Sequence, residues 1–182
     1  FERQYGRKED INQVVNISKC DFFLSSWPKD NYNSKKLKGH TNVPFINIGY
    51  PRGLKAWQDY INKNINIKIE ESIKENFFFW PLSVDHRIEP NGTTFDLFEP
   101  SVHVLKTLKE INYPLQVVFR NHPTTNPNFV ERITKAASFT NFTLSNAHPQ
   151  QLIRKSNFMF SQSGTSLFCD AWFLGKPIVQ YV

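Results

Sequence analysis

An α/β fold, a parallel β-sheet with helices packed on both faces, is what this 182-residue sequence predicts. Three observations carry the expectation. The run Phe77-Phe78-Phe79-Trp80-Pro81-Leu82 is continuous, apolar and bounded by turn formers, as in a strand buried on both faces. Val102, Val104, Leu105, Leu108 and Ile111 then recur at helical spacing before a second buried strand at Leu115–Phe119. The same alternation continues to the last residues, and strands alternating with helices at these lengths make βαβ units and a parallel sheet.

In chain order, Asp21–Ser26 is a short apolar run followed by a polar stretch from Lys29 to Thr41. Val43–Gly49 reads as a strand closed by the turn Gly49-Tyr50-Pro51-Arg52-Gly53. Leu54, Trp57, Tyr60 and Ile61 mark a helix, and Ile65, Ile67 and Ile69 then alternate among charges, so 54–75 reads as a connection between two domains. After the strand at 77–82 comes a helix from Phe98 to Ile111, with Pro100 in its first turn, where a missing N–H costs nothing. Leu115–Phe119 is the next strand and ends in Arg120-Asn121-His122-Pro123. A helix at Asn128–Ala137, a strand at Phe142–Leu144 and a helix at Pro149–Lys155 follow. Phe158–Phe160 is a strand, Thr165–Leu174 a helix, and Gly175-Lys176-Pro177 the turn into a last strand at Ile178–Val182. The expected organisation is 1–53 as the end of an N-terminal Rossmann-like domain, 54–75 as the connection, and 76–182 as a second Rossmann-like domain. The chain opens without Met and closes on what reads as an interior strand, so both ends read as cut from a longer enzyme.

Composition narrows the class of partner. A hydrophobic fraction of 40% and a charged fraction of 21% are those of an ordinary folded domain and not of a disordered chain. The net charge of +6 suits an anionic partner, but no run of Lys and Arg interleaved with aromatics points to a nucleic-acid groove. Lys35, Lys36 and Lys38 form the one small basic cluster. Cys20 and Cys169 lie beside apolar runs and read as buried free thiols, hence a reducing compartment. The sequons at Asn16, Asn91 and Asn141 carry no weight without a secretory context. No apolar stretch is long enough to span a membrane, and neither the His residues nor a carboxylate cage show metal-ligand spacing.

Ligands in parallel sheets sit beyond the carboxyl ends of the strands, which singles out the loops after Leu82, Phe119 and Phe160. The last of these, Ser161-Gln162-Ser163-Gly164-Thr165-Ser166, combines small hydroxyl residues with a Gly at the start of a helix, so a phosphate can approach the backbone. Asp170, one turn into that helix, is placed to accept from ribose hydroxyls; the plain alternative is a helix capped by Ser163 or Thr165 with Asp170 solvated. After Phe119, Arg120 offers a fork for phosphate oxygens, and His122, stiffened by Pro123, offers a hydrogen bond or a proton. After Leu82, Asp85 and His86 are candidates for catalysis or for closing a loop.

The segments GYPRG at 49–53, FRNHP at 119–123 and SQSGTSLFCDAWFLGKPIVQY at 161–181 resemble, in this order, the GT-B superfamily. Within it the chain is similar to bacterial capsule-polysaccharide transferases and to CDP-glycerol glycerophosphotransferases over residues 20–182. The resemblance implies that His122 and Pro123 contact the donor phosphate, that Thr165 and Ser166 hold phosphate oxygens, and that Asp170 lies near the ribose or the phosphate loop. At 82–83 the chain has Leu and Ser where capsule enzymes carry Gln, and it keeps only Pro81 of the phosphotransferase segment. The implied activity is metal-independent transfer from a CMP-, CDP- or UDP-linked sugar, with no resident cofactor, to a surface glycan. His122 is then a catalytic candidate and Asp85 the one candidate base. Arg120, His122, Pro123, Ser163, Gly164, Thr165, Ser166 and Asp170 form the donor site. The expected location is cytoplasmic, with peripheral contact at the inner membrane face. Glycerol phosphate transfer, or a non-catalytic basic module holding an anionic polymer, are the alternatives.

Overall fold

The computed structural model describes residues 23–25, 45–64, 69–82, 86–88, 94–123, 125–162 and 165–181, the side chains at 23–25, 45, 86–88 and 94–95 excepted. The strands are β1 (Phe23–Ser25), β2 (Phe45–Asn47), β3 (Phe77–Pro81), β4 (His86–Ile88), β5 (Thr94–Asp96), β6 (Gln116–Arg120), β7 (Phe142–Leu144), β8 (Met159–Ser161) and β9 (Ile178–Gln180). The helices are α1 (Lys55–Asn64), α2 (Phe98–Glu110), α3 (Phe129–Ala137), α4 (Pro149–Lys155) and α5 (Leu167–Phe173), and Pro51–Gly53 forms one 3₁₀ turn.

Five strands form one all-parallel sheet in the order β7-β6-β3-β8-β9, the Rossmann-like α/β arrangement the sequence predicts. From β3 the chain steps outward to β6 and β7, then returns across the sheet to β8 on the other side of β3 and steps out to β9. Right-handed crossovers taken in opposite directions put their helices on opposite faces. Accordingly α2 and α3 pack on Phe78, Trp80, Val117, Phe119 and Phe160. Helices α4 and α5 pack on Phe77, Phe79, Val118 and Met159.

β3 explains its own composition. Its side chains alternate between the two cores, so all five residues are buried and no polar face is needed. Burying each of these aromatic rings contributes about 1.5–3 kcal/mol. Edge strand β9 is the opposite case: Ile178 and Val179 remain exposed. The Gly-Lys-Pro turn before it is a Schellman stop for α5. The Lys176 amide donates to the Ala171 carbonyl and the Gly175 amide to that of Trp172, with Gly175 at φ +64°, a conformation a side chain would strain.

Most element bounds agree with the sequence reading within one or two residues. One element was not expected: an antiparallel pair, β4 with β5, between β3 and α2. β1 and β2 pair in parallel as a separate two-stranded sheet. Cys169, expected in the core, is half-buried, while Cys20 lies outside the described residues, as do Lys35, Lys36 and Lys38. No described helix is long and apolar enough to cross a membrane.

Candidate functional site

The chain reverses its stepping direction between β3 and β8, so the carboxyl edge there is the topological switch point where such sheets bind ligands. Three segments meet at this edge. Arg120 is the last residue of β6, and its Nε donates to the Ala147 carbonyl at 3.0 Å, which fixes the guanidinium against the loop after β7. That loop continues into His148, whose Nδ1 accepts from the Gln150 amide at 3.3 Å and so caps α4. With Nδ1 accepting, a neutral imidazole carries its proton on Nε2. The third segment is the start of α5, where the Leu167 amide donates to the Thr165 hydroxyl at 3.3 Å.

Asp170 ties these segments to the N-terminal part. Its side chain is 0% exposed, with Oδ1 accepting from Gln150 Nε2 at 2.9 Å and Oδ2 lying 3.0 Å from a terminal nitrogen of Arg52. The Arg52 contact is a charge contact without hydrogen-bond alignment. Neither a solvated carboxylate nor an open acceptor for ribose hydroxyls describes this residue: both oxygens are shut off from solvent, and Oδ2 faces the Arg52 charge without a hydrogen-bond partner among the described residues. Burial pushes its pKa up, against the opposing pull of the Gln150 hydrogen bond and the Arg52 and His148 charges.

The turn at 50–53 docks on α5 through several contacts at once. The Tyr50 ring stacks on Phe173 with centroids 5.6 Å apart, and its hydroxyl donates to the Ser166 carbonyl at 3.2 Å. The Arg52 guanidinium lies over the Tyr50 ring, 5.1 Å from the centroid. Burial, and then the Asp170 charge, push the Tyr50 hydroxyl up to about 12. Gly53 permits the approach, since a Cβ there would sit 2.8 Å from Phe173 ring carbons. Gln58 of α1 donates to the Arg52 carbonyl and accepts from Arg154 of α4, bracing the turn from behind.

The electrostatic balance at the edge is positive. Arg120 has no carboxylate partner among the described residues, and burial lowers its pKa. Burial also lowers that of His148, helped by the charges of Arg120 and Arg52 and opposed by Asp170. His148 thus lies within electrostatic reach of both guanidiniums and of the Asp170 carboxylate.

Of the residues singled out from sequence, Arg120, Thr165, Ser166 and Asp170 belong to this one assembly. His122 lies two residues beyond Arg120 in a turn where its carbonyl accepts from Thr125, and Pro123 is exposed. Asp85, Ser163 and Gly164 lie outside the described residues, as does the side chain of His86. Sequence reasoning did not pick out Arg52, Gln150 and His148. For His148 a signal exists: it precedes Pro149 in the loop after strand Phe142–Leu144, at the same sheet edge as the loops after Leu82, Phe119 and Phe160. Gln162, in the loop after β8, accepts from the Ser101 hydroxyl at 2.7 Å, while its amide nitrogen is buried without a partner among the described residues. Among the described residues no group of three His, Cys, Asp or Glu is placed to hold a metal ion. A separate open cleft of 540 Å³ is lined by Pro51, Leu54, Ala56, Trp57 and Tyr60, none of them charged.

In comparisons with known proteins, no protein-family model and no curated protein matches the chain.

Proposed function

We propose that this chain forms the donor-binding part of a GT-B-type glycosyltransferase that takes a sugar from a nucleotide-activated donor and passes it to a surface glycan. The observation that supports the reading most is the positive, hydroxyl-bearing carboxyl edge at the switch point of a parallel sheet, where Arg120, His148 and the Thr165–Ser166 segment converge. An edge of this kind suits the diphosphate of a nucleotide: the guanidinium forks take phosphate oxygens, and the hydroxyls and backbone of 165–166 lie at the start of a helix. Helix α5 has only seven residues, so its dipole is small and the side-chain cations supply most of the field.

Chemically, fixed cations at this edge stabilise the negative charge that grows on the leaving nucleotide as the sugar bond breaks, which lowers the barrier without a metal. His122 belongs to the same strand end and is the proton carrier of this reading. Asp85 is its base. The GT-B assignment and the glycan acceptor rest on the resemblance of the three sequence segments, since a fold alone does not give a function.

Calorimetric titration of the chain with CMP, CDP, UDP and GDP tests the proposal. One of them binding clearly more tightly than the others is the expected result, and no heat with any of them would refute it. Product mass then separates a sugar increment from a glycerol phosphate increment.

A further inference from the structure

Arg52 holds an unusual position at the sheet edge. It comes from the turn preceding α1, yet it meets Asp170 of α5 and shares the electrostatic field of His148 with Arg120. Its partner carboxylate is wholly buried while its own side chain is 35% exposed, so the guanidinium spans from the core to the open edge. One terminal nitrogen faces Asp170; the Tyr50 ring sets the position of the guanidinium. A guanidinium has five N–H donors, and a single carboxylate oxygen at 3.0 Å leaves donors over.

Asp170 offsets the charge of Arg52, whereas Arg120, held at the Ala147 carbonyl next to His148, has no carboxylate partner among the described residues, so the cluster keeps a surplus cation. An anion between Arg52, Arg120 and His148 would balance that surplus cation and take up the spare donors. The Ser166 carbonyl, held by the Tyr50 hydroxyl, brings the 165–166 segment beside the same point.

We propose that Arg52 is a direct ligand of the anion bound at the switch point, and that it completes with Arg120 and His148 a seat for a diphosphate, whose binding fastens the Tyr50–Gly53 turn to α5. The inference rests on the donor-site reading for the nucleotide, but its own ligand chemistry is the diphosphate, which inorganic pyrophosphate shares.

The experiment titrates inorganic pyrophosphate, CDP and UDP into the full chain and into the paired variant Arg52→Gln/Asp170→Asn, which removes both charges and strands no carboxylate in the core. Pyrophosphate should bind the unmodified chain, and the folded paired variant should bind it about tenfold more weakly, the loss of a hydrogen bond to a charged group. A second measurement needs no variant: modification by an arginine-selective dicarbonyl, read by peptide mass, should be slowed at Arg52 by saturating pyrophosphate. Equal affinity in the folded paired variant, or an unchanged rate at Arg52, overturns the inference. If CDP or UDP binds tightly and equally to both proteins, the nucleotide reading stands and the role of Arg52 falls. If pyrophosphate binding depends on Arg52 but neither nucleotide binds better than pyrophosphate, the role of Arg52 stands and the nucleotide reading falls. Binding of neither pyrophosphate nor nucleotide refutes both.

Discussion

Replacing Arg52 by Ala strips the counter-charge from a carboxylate that water does not reach. Removing one partner of a fully buried ion pair costs about 3–5 kcal/mol, whereas an exposed pair is worth about 0–1 kcal/mol. Here the Asp170 side chain is 0% exposed, that of Arg52 is 35% exposed, and Gln150 still donates to Oδ1 after the change. The expected loss lies between the limits, at about 2 kcal/mol near neutral pH. For a chain of this length that is a fall of about 4–8 °C in Tm. The pH dependence identifies the cause. Burial holds the Asp170 pKa above its unfolded value, so its contribution to stability is full below about pH 4 and is lost as pH rises through the folded value. Arg52→Ala raises that folded value further. The gap between variant and parent should therefore be small at about pH 4 and widen toward about pH 8. Adding Asp170→Asn should close most of it. Urea unfolding at a series of pH values measures all three proteins. A gap independent of pH, or one that Asp170→Asn leaves intact, would show that Arg52 acts by packing on Tyr50, and the charge argument would be wrong.

Two other changes follow from the same geometry. Gly53→Ala forces a Cβ against the Phe173 ring, which is half exposed and can yield, so the cost should be only about 1 kcal/mol, with the Tyr50–Phe173 stack disturbed; thermal melting and tyrosine fluorescence check it, and a Phe173→Ala background should abolish the penalty. Glu70 shows the reverse pH dependence. Burial alone would raise its pKa, but hydrogen bonds from the Ser145 hydroxyl and the Asn146 amide outweigh it and hold the carboxylate below the usual range. Its contribution is thus present above about pH 4.3 and lost as pH falls through the folded value. Glu70→Gln should be less stable than the parent near neutral pH, with the difference shrinking in acid; a difference constant with pH would contradict this.

Much of the sheet was legible because its strands carry their burial in their composition. Phe77–Leu82 is apolar on consecutive residues because β3 faces two cores. Phe142–Leu144 and Pro149–Lys155 were read with their observed bounds, since Pro149 and the flanking polar residues punctuate them. The hairpin of β4 and β5 was not legible. Its strands are three residues each, and His86-Arg87-Ile88 and Thr94-Phe95-Asp96 are too short to show a period. The site was legible only as loops. Spacing points to Arg120 and to the loop after Phe160 as candidates, because strand ends are local features. The pairing of Arg52 with Asp170 is a contact between distant parts of the chain, and nothing local in either residue announces it. The ribose role expected for Asp170 came from its place one turn into a helix, which does not say whether that face is open or covered. The turn at 50–53, through Arg52, covers it.

The proposed role of the carboxyl edge at the switch point is to bind a nucleotide by its diphosphate. Amide chemical shifts of isotope-labelled protein, followed while CDP and UDP are added, test it residue by residue. Saturable shifts concentrated at Arg120–His122, Ala147–Gln150 and Thr165–Leu167 are expected, with the Tyr50–Gly53 turn following at the same apparent Kd. Shifts confined to the Leu54–Tyr60 face of α1, or none for either nucleotide, would contradict it.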